Sequence, residues 1–293
     1  MKDFKTEIES ALYLLDNKPL EDFDGLSRAD MRYLVHNPFS KDSPLSIRHD
    51  ISNRIIDQML IMRPFELFLK RSSQTKYIRL TKKGFLPTAL VKEVDDSIFR
   101  SKDYLFVYKT EGLYSEKDSH TACMVRYISE KCGFIERQNN KLLFSPQWKE
   151  SFLAGDRQRF FRSIFRGYTQ YYNWINVVYN DNPNTGQEGF AYTLYLLSKY
   201  GKYFKPLSFY TNKYFRAFPL KPETKTIEDY DLTATIVENA HWGSPNSAFE
   251  IATFESFLVR FNLVNYQFVQ KQNSNRQLLI KKSRAFDKVL TFI

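Results

Sequence analysis

The chain has 293 residues, 43 Lys+Arg against 33 Asp+Glu for a net charge of +10, and is 43% hydrophobic and 16% aromatic. That apolar content excludes disordered, collagen-like and low-complexity classes, because burying it can offset the entropy lost on ordering the chain. The length, near the point where a single core stops growing, predicts more than one packed unit, and no segment approaches the roughly 20 apolar residues of a membrane span.

At the start, Phe4, Ile8, Leu12 and Leu15 recur at helical spacing with Glu7, Glu9 and Asp16 between them. This predicts an amphipathic helix and no secretory signal, so a cytoplasmic protein is expected. Glu21-Asp22-Phe23-Asp24, between Pro19 and Gly25, reads first as a turn, with a divalent-cation site as the other reading. Ser27 followed three residues later by Asp30 is a capping box, with Leu26 placed to staple onto Met31. Pro38 should end that helix at His36-Asn37.

Three later segments then share one order: helix, strand, polar turn, strand, helix. The first has a helix at residues 64–69 with Pro in its first turn, a strand at 77–80 and a helix at 87–94. The second has a helix at 121–131 stopping before Gly133, a strand at 134–137, a turn at Asn139-Asn140 and a return strand at 141–144 before Pro146 opens a closing helix. The third has a helix at 249–261, strands at 266–269 and 277–280, and a final helix to Ile293. The expected fold class is therefore α+β and predominantly helical, with tandem winged-helix-like units around an aromatic-rich helical core. A generic α+β domain whose hairpins merely cap helices is the plainer alternative. Four segments follow: 1–96, a first winged-helix-like unit with an N-terminal helix; 97–155, a second; 156–221, a basic aromatic-rich helical segment; and 222–293, a linker and a C-terminal unit, with residues 222–232 as the linker candidate.

In the third of these segments Asp156 should cap a helix whose apolar residues, Phe160, Phe161, Ile164, Phe165 and Tyr168, follow the 3.6-residue period. Arg159, Arg162 and Arg166 fall on another face. Two more helices are expected, at residues 186–200 before Gly201 and at 207–217 before Pro219. Aromatics interleaved with basic residues could also form a stacking platform for single strands, but helical spacing assigns these aromatics to the core. Asn173 and Trp174 read as a buried amide and indole that satisfy backbone groups at a helix end.

The stretches Asn37-Pro38-Phe39 with Ser43-Pro44-Leu45, Leu80-Thr81-Lys82-Lys83-Gly84-Phe85-Leu86-Pro87, Asn173-Trp174 and Leu194-Tyr195-Leu196-Leu197-Ser198-Lys199-Tyr200-Gly201 carry a likeness over most of the chain. In them the sequence resembles an uncharacterised bacterial protein family with no established activity. The resemblance implies a multi-unit cytoplasmic protein and supplies no catalytic residue. Ser145-Pro146-Gln147-Trp148 stands where the family pattern has a Thr-Lys-Lys-Gly-like step, so the second wing should differ from the first.

The charge excess is concentrated in residues 156–221, which hold 10 basic and 3 acidic residues. Basic runs also mark the first hairpin, Lys70, Arg71, Lys76, Arg79, Lys82 and Lys83, and the third, Lys271, Arg276, Lys281, Lys282 and Arg284. The second hairpin, with Glu136 beside Arg137 and Lys141, reads as structural. Lys and Arg on a wing displace counterions from a phosphate backbone.

For catalysis the sequence offers little. His36, His49, His120 and His241 have no metal-ligand spacing, Cys123 and Cys132 match neither a redox nor a zinc pair, and the phosphate-loop and nucleophile-elbow glycine motifs are missing from the sequence. Glu223 and Lys225 fit a metal-dependent nuclease only with an Asp on a neighbouring strand. The expected function is a noncatalytic nucleic-acid-binding protein without cofactor or metal, with duplex DNA as partner. Its phosphate contacts would come from Lys70, Arg71, Arg79, Lys82, Lys83, Arg159, Arg162, Arg166, Lys271, Arg276, Lys281, Lys282 and Arg284. The competing expectation is a protein-interaction scaffold that uses winged-helix units without DNA.

Overall fold

A computed structural model describes residues 2–99, 115–178, 182–221, 246–270 and 276–292. In chain order the elements are α1 (Lys2–Asn17), α2 (Arg28–His36), β1 (Leu45–Ile47), α3 (Asn53–Asp57), α4 (Met62–Ser73), β2 (Ile78–Arg79), α5 (Thr88–Phe99), α6 (His120–Lys131), β3 (Ile135–Gln138), β4 (Lys141–Phe144), α7 (Pro146–Leu153) and α8 (Arg157–Arg166). There follow α9 (Phe190–Tyr200), β5 (Lys205–Pro206), α10 (Leu207–Ala217), α11 (Ser247–Phe249), β6 (Val264–Gln270), β7 (Arg276–Lys282), α12 (Phe286–Val289) and β8 (Leu290–Phe292). The class is α+β, mainly helical, with small antiparallel sheets. No described helix is long and apolar enough to cross a membrane.

The chain divides into two compact units, which cut it differently from the four segments expected. A central unit comprises His49–Val177 with Val259–Asn262, and a composite unit is assembled from Met1–Arg48, Val178–Leu258 and Leu263–Ile293.

In the central unit the strands run antiparallel in the order β2-β4-β3. The first hairpin expected from the sequence does not form. After β2 the chain makes a tight turn, in which Gly84 N–H donates to the Thr81 carbonyl at 2.8 Å and Thr81 N–H to the Phe85 carbonyl at 2.8 Å. It then enters Leu86-Pro87 and α5, leaving no return strand. A lone strand's backbone groups still need partners, and β2 finds them in β4, with Ile78 opposite Leu142 and Arg79 opposite Lys141. The β3–β4 hairpin forms as expected, with Asn139 in the left-handed conformation (φ 53°) that its turn requires.

Against these strands pack α4, α5 and α6, burying Phe65, Phe68, Val91, Val94, Val125 and Ile128. Asp156 caps α8 through its bond from Arg159 N–H, and the helix continues as a wider π turn over Gly167–Tyr171. Gly167 allows close approach to α6: a Cβ there would sit 2.7 Å from Ile128 Cγ2 and 2.9 Å from Cys132 Sγ. Phe160, Phe161, Phe165 and Tyr168 are buried. Trp174 is buried too, its indole N–H donating to the Tyr168 carbonyl at 2.8 Å, whereas Asn173 is exposed and accepts from Ile175 N–H.

The composite unit joins distant parts of the chain. β7 lies between β5 and β6, and β1 pairs with β8, Leu45 opposite Phe292. The final helix expected from the sequence is a single turn, α12, followed by β8. Leu290, Thr291 and Phe292 favour a pleated, half-buried surface, and the free edge of β1 supplies the partner. α9 begins at Phe190, not at residue 186, and ends at Tyr200 before Gly201 as expected. α10 has its expected bounds, and α11 runs into a π-helical stretch over Glu250–Val259. The linker candidate at 222–232 and the Glu223/Lys225 pair lie outside the described residues.

The turn at Glu21–Phe23 precedes Asp24, which adopts φ 54° and is buried. Its carboxylate accepts from Lys213 Nζ at 2.6 Å, Tyr200 OH at 2.6 Å and Tyr192 OH at 3.1 Å, and its carbonyl from Tyr195 OH at 3.0 Å and from Lys199 Nζ. Burial pushes the Asp24 pKa up, but the Lys213 and tyrosine hydrogen bonds outweigh it and hold the carboxyl below its usual range. Asp22 meets Arg216 at 3.3 Å. The groups facing these two carboxylates are cations and hydroxyl donors, so the structure uses them as an anchor for α9 and α10. Among the described residues, no group of His, Cys, Asp and Glu is arranged to hold a metal ion.

Candidate nucleic-acid interface

The turn that carries Lys82 and Lys83 is clamped from inside the central unit. Arg126 on α6 is buried, and one guanidinium nitrogen, Nη1, donates to the Gly84 carbonyl at 2.9 Å and to Glu116 Oε2 at 2.9 Å, while Nε donates to Glu130 at 2.8 Å. Buried Glu116 in turn accepts from Leu86 N–H at 2.5 Å. A charge-assisted pair inside a low-dielectric core is held in one geometry by these added bonds. It fixes the C-terminal half of the 81–86 turn, at Gly84 and Leu86.

The tip of the β3–β4 hairpin lies against that turn. Asn140 Nδ2 donates to the carbonyls of Leu80 and Thr81, each at 2.9 Å, and Leu80 N–H donates back to the Asn140 carbonyl at 2.9 Å. Arg137 reaches the same place: its Nη2 lies 2.9 Å from where a Cβ on Gly84 would stand. Lys141, opposite Arg79, holds its ammonium 4.4 Å over the Tyr77 ring. The two turns thus gather Arg79, Lys82, Lys83, Arg137 and Lys141, all exposed, and no ion pair to any of the five is found among the described residues. Arg79, Lys82 and Lys83 were expected here. Arg137 and Lys141 were assigned to a structural hairpin, and only the β2–β4 pairing, which local sequence does not encode, brings them in.

The other residues expected to bind phosphate fall elsewhere. Lys70 is exposed at the last turn of α4, and its neighbour Arg71 is paired with Glu93 of α5 at 2.8 Å. Arg159 and Arg162 are half-buried and have structural partners. Arg159 stacks 4.2 Å over Trp148 and donates to Ser151, while Arg162 donates to the His49 carbonyl at 2.6 Å. Arg166 is exposed. In the composite unit, Lys281 lies over the Phe204 ring at 4.5 Å, Lys282 pairs with Asp287 at 2.8 Å and Arg284 is exposed. Lys271 and the Arg276 side chain lie outside the described residues.

Helix α6, which enters the hairpin, shows only His120, Tyr127 and Lys131 as exposed residues. Its other residues are buried or half-buried, and Tyr127, though exposed, meets Tyr172 edge-on. These three residues lie along one face of the helix, but Lys131 is the one among them of a type that commonly reads base edges. No protein-family model, curated protein or solved structure matches the chain.

Proposed function

We propose that the protein is a noncatalytic nucleic-acid-binding protein that grips the phosphate backbone of duplex DNA with the paired turns at Thr81–Gly84 and Asn139–Asn140. The observation that carries this reading is the group of five exposed cations on and beside two hydrogen-bonded turns, with no carboxylate paired to them among the described residues. Unpaired lysines and arginines on adjoining turns suit a run of phosphates, where each contact releases a counterion. The order helix, strand, helix, helix, hairpin over α4–β4, with the lone strand beside the hairpin, supports a winged-helix-like reading with β3–β4 as its wing, here with 20 residues between α5 and α6. The exposed stripe of α6, His120, Tyr127 and Lys131, carries no Arg, Asn or Gln, which argues for contact led by the wing and without base readout.

The test is binding of two unrelated duplexes of equal length at low salt, followed by fluorescence anisotropy. Equal affinity for both, and a loss of at least tenfold in Lys82→Glu/Lys83→Glu, is the expected result. A strong preference for one duplex, or full affinity in the double variant, would refute it. The scaffold reading has one observation in its favour, the exposure of Ile8, Leu12 and Leu15 on α1 at 44%, 60% and 55%. It is the reading left standing if neither duplex binds.

A further inference from the structure

The composite unit holds a second basic surface, built where α9 ends. Gly201 sits so close to its neighbours that a Cβ would lie 2.4 Å from the Leu197 carbonyl oxygen and 3.1 Å from Lys282 N, and its own carbonyl accepts from Lys282 N–H at 2.9 Å. The absence of a side chain at Gly201 lets the chain leave α9 directly against β7. Residues Lys202-Tyr203-Phe204-Lys205 are thereby laid beside Lys281, with Lys205 opposite Ile280.

Each lysine here is backed by a ring. Lys281 Nζ is 4.5 Å from the Phe204 centroid, Lys205 Nζ 4.7 Å from that of Phe209, and Lys202 Nζ 5.3 Å from that of Tyr203. Ring-backed ammonium groups are localised without being neutralised. Their neighbours Lys213 and Lys282 are neutralised by Asp24 and Asp287. No carboxylate is paired with Lys202, Lys205 or Lys281 among the described residues. Within this run Tyr203, next to Lys202, is 68% exposed, whereas Tyr192, Tyr210 and Tyr214 are core.

We infer that Lys202, Tyr203, Lys205 and Lys281 form a binding site for single-stranded nucleic acid, distinct from the paired turns of the central unit. An exposed ring with Lys202 against it, in a run of unneutralised cations, offers two contacts at once, a stack for a base and a counter-charge for its phosphates. In a duplex the base faces are already stacked on one another, so only an unpaired strand can use both. This site does not rest on the duplex reading.

The test uses the full chain carrying Lys82→Gln and Lys83→Gln, so that the paired turns contribute little, and a labelled 20-nucleotide oligo(dT) as probe. A strand of the same length with abasic sites throughout reports the phosphate contribution alone. Oligo(dT) is expected to bind more tightly than the abasic strand. Tyr203→Ala should cut the oligo(dT) affinity roughly tenfold and leave the abasic strand unaffected. Lys202→Gln/Lys281→Gln should lower the log–log salt slope for oligo(dT) by about 1.4. Equal binding of the two strands, which would mark a general polyanion surface, overturns the proposal. So does unchanged oligo(dT) affinity in Tyr203→Ala. Loss of duplex binding in the Lys82/Lys83 background with oligo(dT) binding intact would support both readings separately.

Discussion

Asp24→Asn isolates the charge at the anchor of the composite unit. Asparagine has the same shape and is among the few residues that tolerate the left-handed backbone found there (φ 54°), so strain adds little. Oδ1 can still accept from Lys213 and Tyr200, and the new amide group can donate to Tyr192, whose hydroxyl rotates to accept. What is lost is the charge in the two 2.6 Å bonds from Lys213 and Tyr200. A hydrogen bond to a charged group contributes about 1 kcal/mol more than a neutral one, which gives a destabilisation of about 2 kcal/mol. Lys213 keeps some contact with water, its side chain being 22% exposed, and this keeps the loss below that of a fully buried pair broken on one side. For a unit of roughly 160 residues, such a loss lowers Tm by about 4–8 °C. The assay is thermal unfolding followed by near-ultraviolet circular dichroism at pH 7 and again between pH 2 and 5. The carboxyl's pKa is depressed in the folded state, so its contribution is present above the unfolded value near 3.8 and is lost as pH falls through the folded value. The wild type should therefore lose stability at the acid end more steeply than Asp24→Asn. A variant whose Tm at pH 7 lies within 1 °C of wild type would refute the anchoring role.

Two further outcomes follow from the central unit. Glu116→Ala removes the acceptor for Leu86 N–H and leaves Arg126 buried with Glu130 as its one counter-charge among the described residues; urea unfolding should show a loss of about 3–5 kcal/mol. An unchanged midpoint would mean that the 81–86 turn is not held by this pair. Burial raises the pKa of both Cys123 and Cys132 to about 11, so at pH 8 both thiols should react with a disulfide reagent far more slowly in the native protein than in urea. Fast native reaction of either would contradict the packing described for α6.

Where a structural signal was local, it could be read from the sequence. Ser27 and Asp30 form the expected capping box, Asp156 caps α8, Asn139 turns the hairpin, and Pro219 and Gly201 lie just beyond the helices they were expected to end. The misread features depend on partners far along the chain. β2 has the composition of a hairpin strand, yet its partner lies more than 60 residues away, and nothing in Tyr77–Leu80 specifies that pairing. Strand residues state only which face is apolar, and register across sheets is settled by tertiary packing. The same holds for β8 with β1, and for Asp24, whose hydrogen-bond partners lie 168 to 189 residues away. The charge pattern was legible in composition but not in place. Arg159 and Arg162, a basic pair on α8, have structural partners, while Arg137 and Lys141 read as structural because Glu136 stands beside them in sequence.

The salt dependence of duplex binding tests the central claim most directly. With five cations at the paired turns, anisotropy titrations of a generic duplex over a series of salt concentrations should give a log–log slope of about −4.5, and Lys82→Gln/Lys83→Gln should make it shallower by about 1.8. A slope near zero, or one that the double substitution leaves unchanged, would contradict the assignment of these turns to phosphate binding.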